Sequence, residues 1–219
     1  SSMTISVALG TSTPTSMTVV ATITSASPRA KDAMAASFSA PSLKEIIIPE
    51  SNPYMEYVDG VIYSEDFSIL MYVLPSVDIG EKTAFEIDNR VTSIEASAFS
   101  FFPYPVVLHE GILEISNNAF SNAAMEEITI PSSVVSIGEY ALSYMPSLTT
   151  IKFAPNSRLH TIGDYAFGDN SALLSASLPD SVVNIGESLF QGCESLVSVN
   201  LPTSLAEMPK FTFKGCASL

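Results

Sequence analysis

Apolar residues along this chain recur in two patterns that share one spacing. The first pattern reads Leu-x-x-Ile-x-Ile-Pro. It runs Leu43-Lys44-Glu45-Ile46-Ile47-Ile48-Pro49 and Met125-Glu126-Glu127-Ile128-Thr129-Ile130-Pro131. It returns with one extra residue from Leu148 to Pro155, then from Leu173 to Pro179 and from Leu196 to Pro202. Alternating apolar positions predict a strand with one face buried. The proline then ends the strand, because it cannot donate to a continuing ladder.

The second pattern places an aliphatic anchor five residues before an aromatic residue or leucine. The anchors are Ile94, Ile115, Ile137, Ile162, Ile185 and the weaker Met208, separated by 21, 22, 25, 23 and 23 residues. Six matches at this spacing are not a chance outcome. A unit of this length cannot bury its apolar face alone. Stacked copies bury it against each other and share one core. Gly138, Gly163 and Gly186 follow their anchors and are expected to supply a tight bend. Cys193 and Cys216 hold one equivalent position, 23 residues apart. They read as small buried hydrophobes, with a disulfide between adjacent coils as the alternative. They do not read as a zinc site.

The combined pattern Leu-x-x-Ile-x-Ile-Pro-x-x-Val-x-x-Ile-Gly-x-x-Ala-Phe-x-x-Cys-x-Ser-Leu resembles the BspA-like leucine-rich repeats, also called the Treponema pallidum type. The resemblance covers roughly residues 33–219. It implies a β-rich α/β solenoid, right-handed, with a parallel β-sheet on one face and short strands or helical turns on the other. It further implies a cell-surface or secreted protein of host-associated bacteria or some protists. Such proteins are used for adhesion to host matrix proteins or other cells. The family has no catalytic residues to carry over.

Two stretches depart from the period. Phe38 and Phe99 hold successive aromatic anchors 61 residues apart, so residues 52–75 are an insertion. Apolar runs flank the polar turn Ser64-Glu65-Asp66, which predicts a β-hairpin. Its Asp-Gly-Val-x-Tyr-Ser pattern resembles an insert common in the same family. Tyr54, Tyr57, Tyr63 and Tyr72 are candidate aromatic contacts, or padding between the hairpin and the solenoid edge. Residues 1–30 are rich in Ser, Thr and Ala, and the stretch from Thr18 to Thr24 alternates like a strand. This segment reads as a degenerate capping coil or as a stalk, with residues 31–219 forming the solenoid. Leu219 falls where another strand should begin, so the repeat array is expected to run on.

Composition narrows the function. The chain of 219 residues carries 9 Lys+Arg against 23 Asp+Glu, a net charge of −14. That balance argues against nucleic acid and against anionic membrane surfaces, both of which call for clustered cations. No apolar run approaches the ~18 residues of a membrane span. The stretch Met3–Leu9 lacks a basic flank and does not read as a signal peptide. His109 and His160 both read as solvent-facing turn residues. No nucleophile elbow, phosphate loop, calcium loop or Asn-x-Ser/Thr sequon is present in the sequence. The expectation is a non-enzyme with neither cofactor nor metal.

Binding residues are therefore sought on the outward positions of the predicted strands. These are Glu45 and Ile47, Glu127 and Thr129, Thr150 and Lys152, Ser175 and Ser177, and Ser198 and Asn200. Pro105 and Val107 take these places in a degenerate coil. The expected partner is a protein or glycan, such as a host extracellular-matrix protein. A spacer or assembly scaffold that displays another domain is the alternative.

Overall fold

The computed structural model describes the strands at residues 5–7, 19–23 and 43–47, and residues 54–219 except Ala206. Strand β1 (Ile5–Val7) pairs antiparallel with β2 (Val19–Ile23), which pairs parallel with β3 (Leu43–Ile47). The predicted strand between Thr18 and Thr24 is thus formed. The side chains of these three strands, Glu45 and Ile47 among them, lie outside the described residues.

The anchors stack as the period requires. Strands β8 (Ser93–Ile94), β10 (Glu114–Ile115), β12 (Ser136–Ile137), β14 (Thr161–Ile162) and β16 (Asn184–Ile185) form one parallel ladder. Ile94, Ile115, Ile137, Ile162 and Ile185 sit in register along it. The Ile-x-Ile motifs form a second parallel sheet of β11 (Glu127–Ile130), β13 (Thr150–Phe153), β15 (Ser175–Ser177) and β17 (Ser198–Asn200). Each ends before its proline. A two-stranded parallel pair, β7 (Phe85–Glu86) with β9 (Val106–Val107), precedes it.

The insertion is larger than the expected hairpin. Strands β4 (Met55–Val58), β5 (Val61–Ser64) and β6 (Ile69–Val73) form an antiparallel meander. The hairpin expected around Ser64-Glu65-Asp66 joins β5 to β6. A second, two-residue turn at Asp59-Gly60 joins β4 to β5, with φ of 47° and 88°. That is the left-handed pair a tight hairpin needs. Strand β6 then pairs parallel with β8, aligning Leu70 with Ile94. The insertion therefore continues the anchor ladder instead of interrupting it.

Of the two alternatives for the other face, short strands are formed and helical turns are not: among the described residues there is no helix. The reason lies in the backbone between each anchor and the next strand. The residue three after each anchor has positive φ in all six coils: Ser97, Asn118, Tyr140, Tyr165, Ser188 and Phe211. So does the residue seven after: Phe101, Asn122, Tyr144, Asp169, Gly192 and Gly215. Left-handed residues break an α-helix, and each costs about 1–2 kcal/mol when it carries a side chain. In return, alternate N–H groups point across coils. Ser97 donates to Asn117, Phe99 to Ala119 and Phe101 to Ser121, at 3.1, 2.7 and 3.1 Å. The amides between and after them close local turns, Ser100 to Ser97 and Phe102 to Phe99, both at 3.1 Å. An α-helix would turn its N–H groups onto carbonyls four residues back in the same coil, leaving none of the interior ones for the next coil.

Close contact between coils also explains the glycines. Gly138, Gly163 and Gly186 do not adopt left-handed φ, so they are not the bend expected of them. A Cβ on Gly163 would lie 2.6 Å from the Glu139 nitrogen, and one on Gly186 would lie 2.3 Å from the Asp164 nitrogen. Glycine is needed because the preceding coil's backbone occupies the space.

The core is continuous. The anchors from Ile94 to Ile162, the small residues Ala98, Ala119, Ala141 and Ala166, and the residues Phe99, Phe120, Leu142, Phe167 and Phe190 are almost fully buried, while Ile185, Phe213 and above all Met208 are more open in the last coils. Phe99 stacks on Phe120 at 4.9 Å and Phe190 on Phe213 at 5.9 Å. Eight residues after the anchor, Asn170, Cys193 and Cys216 share one ladder position. Asn170 donates to the carbonyls of Leu142 and Phe167 and accepts from the Met145 amide. Cys193 and Cys216 donate their thiols to the carbonyls of Phe167 and Phe190, at 3.2 and 3.1 Å. Both cysteines are free, so the disulfide alternative is not the one adopted. Burial pushes the Cys193 thiol up to about 12. These side chains satisfy carbonyl groups that an apolar residue would leave unpaired.

Candidate binding surfaces

The sheet β11–β13–β15–β17 buries one side of each strand and presents the other. Ile128, Ile130, Ile151 and Ala176 point inward, while Glu127, Thr129, Lys152, Ser175, Ser177, Ser198 and Asn200 are exposed and Thr150 is half-exposed. Parallel register aligns these outward residues from coil to coil: Glu127 with Thr150, Thr129 with Lys152, Ser177 with Asn200. Lys152 reaches across to Glu127 at 2.6 Å. Both ends of that pair are largely solvated, so it contributes little to stability. Pro105 and Val107 are exposed beside β9.

Two apolar residues missed by sequence reasoning border this face. Leu174 and Val197 are 52% and 60% exposed, immediately before β15 and β17. They occupy the first x of Leu-x-x-Ile, where the repeat leaves the residue free. An aliphatic residue at a free position was the available signal.

The four tyrosines of the meander do not form one patch. Tyr54 is exposed and Tyr57 half-buried, but Tyr63 and Tyr72 are buried. Strand β5 lies between β4 and β6 and buries Val61, Ile62 and Tyr63 in succession. Tyr63 packs against Phe67 with ring centres 5.0 Å apart. Burial lifts the phenols of Tyr63 and Tyr72 to about 12.

Hydrogen bonds between coils fix the edges of these surfaces. The Glu110 carboxylate accepts from the Ser132 amide, the Ser132 hydroxyl and the Ser133 amide at 3.0, 2.9 and 3.1 Å. The Ser132 amide bond leads the set that holds the Glu110 carboxyl below its usual value of 4.5. Asn117 and Asp164 side chains accept from the amides of Glu139 and Glu187, both at 2.8 Å. Contrary to expectation, His109 is half-buried between coils, its ring nitrogens 3.1 Å from the Asp88 and Glu110 carbonyls. His160 is exposed beside the Arg158 carbonyl.

Beside the anchor ladder, Glu114, Ser116, Asn117, Ser136, Glu139 and Thr161 line an open groove of about 450 Å³. Next along the chain, Tyr140, Tyr144 and Tyr165 form an aromatic ledge at the corner of the coils. Tyr165 lies 4.9 Å from Tyr140 and 5.8 Å from Tyr144, measured between ring centres. Tyr165 donates its hydroxyl to Asp169 at 2.6 Å. Burial and then that carboxylate raise the Tyr165 phenol. Among the described residues, no three of His, Cys, Asp or Glu are grouped as a metal ion would need. No helix among them is long and apolar enough to cross a membrane.

Fold and surface together define a parallel β-solenoid that displays register-aligned side chains on each coil. The chain belongs to the BspA-type leucine-rich repeat family. The family's model, a BspA type leucine-rich repeat region, matches six copies over residues 79–173 and 160–219, more than half of the chain. Among solved structures it is similar to a leucine-rich repeat protein from Eubacterium ventriosum, at 25% identity and a TM-score of 0.69. That alignment covers 83% of this chain and 49% of the other. A second similarity is to the pneumococcal vaccine antigen PcpA, at 24% identity and a TM-score of 0.49, covering 78% and 36%. The chain thus spans about half or less of the length of these two proteins. No curated protein matches it.

Proposed function

We propose that this chain is a non-catalytic binding module of a surface-located or secreted protein, adhering to a host matrix or cell-surface partner. The sheet β11–β13–β15–β17 is its docking face. The observation that carries this reading is the outward row from Glu127 to Asn200, held in register by four parallel strands. Extended sheet faces of solenoids are suited to protein partners, because side chains vary there without disturbing the core. Leu174 and Val197 add apolar area at the rim of the same face. Glu45 and Ile47 hold matching positions in the motif that forms β3. Tyr54 is placed to add a contact from the meander, whereas Tyr63 and Tyr72 serve its packing. Membership in the repeat family supports binding over catalysis.

Exchanging the paired charges tests this assignment. Glu127→Lys together with Lys152→Glu leaves an ion pair available and reverses its polarity. Attachment to immobilised matrix and cell-surface proteins should weaken by about tenfold, equivalent to ~1.4 kcal/mol. Unchanged attachment would remove the sheet as the docking face. Failure of the unmodified chain to attach to any protein or glycan would remove the adhesion reading itself.

A further inference from the structure

The tyrosine ledge is a second surface, separate from the sheet. Tyr140 and Tyr144 are 37% and 41% exposed, so both rings reach solvent beside the half-buried Tyr165. Their setting is acidic: Glu139 precedes Tyr140, Asp164 precedes Tyr165, and the Asp169 carboxylate accepts the Tyr165 hydroxyl at 2.6 Å. No Lys or Arg occurs between Arg90 and Lys152, and Lys152 is committed to Glu127.

The repeat itself indicates what such a corner accepts. Phe211 occupies, in the last coil, the ladder position of Tyr140 and Tyr165. Its ring is covered by the Lys214 ammonium, 5.3 Å from the centroid. Lys214 lies three residues on, where the tyrosine coils have Ser143 and Gly168. Among the described residues, the cations over rings are Arg90 on Phe67 and Lys214 on Phe211, and none covers the ledge. The tyrosine coils thus repeat the aromatic half of a cation–ring pair, add carboxylates, and lack the cation.

We propose that the Tyr140–Tyr165–Tyr144 ledge, bordered by Glu139, Asp164 and Asp169, receives a Lys- or Arg-bearing segment of a partner protein. The rings attract the cation through their negative faces, and the carboxylates supply longer-range steering. This deepens the binding-module reading by naming the partner's chemistry. It uses a different face, so the two assignments fail separately.

Octalysine is the probe, with octaglutamate and a neutral oligosaccharide as comparators, titrated into the whole chain by calorimetry. Octalysine should bind at low salt and octaglutamate should not. Tyr140→Leu with Tyr144→Leu keeps the net charge and apolar bulk but removes two π faces. Each ring at an exposed site is worth about 0.5–1 kcal/mol, so the pair should weaken binding about five- to thirtyfold. Should that variant unfold, Tyr140→Ser alone should still weaken binding about two- to fivefold. Equal affinity for a folded tyrosine variant would show diffuse attraction to an acidic chain and overturn the proposal. Absence of octalysine binding would overturn it too, as would preferential binding of the neutral oligosaccharide. Loss of matrix attachment in the Glu127/Lys152 exchange, with octalysine binding intact, would support both assignments.

Discussion

The sheet β11–β13–β15–β17 and the turn ladder that follows each anchor meet the same neighbours with opposite tolerance. On the sheet, extended residues pair along a short strand and every second side chain is free. Glu127, Thr150, Ser175 and Ser198 share one row, a carboxylate beside three hydroxyl side chains. In the turn ladder, left-handed residues recur at two fixed positions in every coil, and glycine backbones touch the coil before. There the backbone geometry carries the stacking, the side chains between the left-handed positions fill the core, and the left-handed residues themselves turn outward. The comparison teaches that this solenoid separates its duties. Stability resides in the turns and the core, and variation is allowed on the sheet and at the exposed corners.

The most severe break in that contrast should come from Gly163→Ala. The new Cβ would meet the Glu139 nitrogen at 2.6 Å and the Gly138 carbonyl carbon at 2.7 Å, both backbone atoms with no rotamer to escape into. Overpacking of this kind costs about 1–3 kcal/mol, and the upper end is expected here. A denaturant midpoint close to that of the unmodified chain would show that the coils can separate cheaply. A smaller effect is expected at Glu110, which bridges two coils. Its carboxyl is held below 4.5 by the serine hydrogen bonds, so its contribution is present above that value. It is lost as pH falls through the lower folded value. Glu110→Gln should therefore flatten the acid limb of a stability profile below about pH 4.5, and an unaltered limb would show that the bridge does not contribute. The smallest change is expected from Ser177→Ala on the sheet face, within about 0.5 kcal/mol by thermal unfolding.

The anchors and the Ile-x-Ile strands were legible because they are side-chain patterns: burial selects Ile, Leu and Phe at each repeat of the period. The turn ladder was not legible in that way. Its left-handed residues are Ser, Asn, Asp, Tyr and Phe more often than Gly, so no single residue type marks them. Their regular spacing from the anchors was the signal, and only the backbone gives it meaning. Gly138 and Gly163 were read as bends because glycine serves both sharp φ and close approach, and sequence does not separate the two uses. Asp59-Gly60 is a stronger hairpin signal than the acidic turn Ser64-Glu65-Asp66. Alternation predicted which residues of β11 face outward. The meander tyrosines escaped such prediction, since β5 buries three successive side chains and so shows no alternation.

Amide hydrogen exchange tests the division of duties most directly. If alternate N–H groups bind the next coil, the amides of Tyr140, Leu142 and Tyr144 are held at 2.9, 2.8 and 3.0 Å by the carbonyls of Asp164, Ala166 and Gly168. They should exchange as slowly as the amides of β13, although they lie in turns at the surface. Exchange at the rate of open turns, with β13 still protected, would contradict a solenoid held together by its turn ladder.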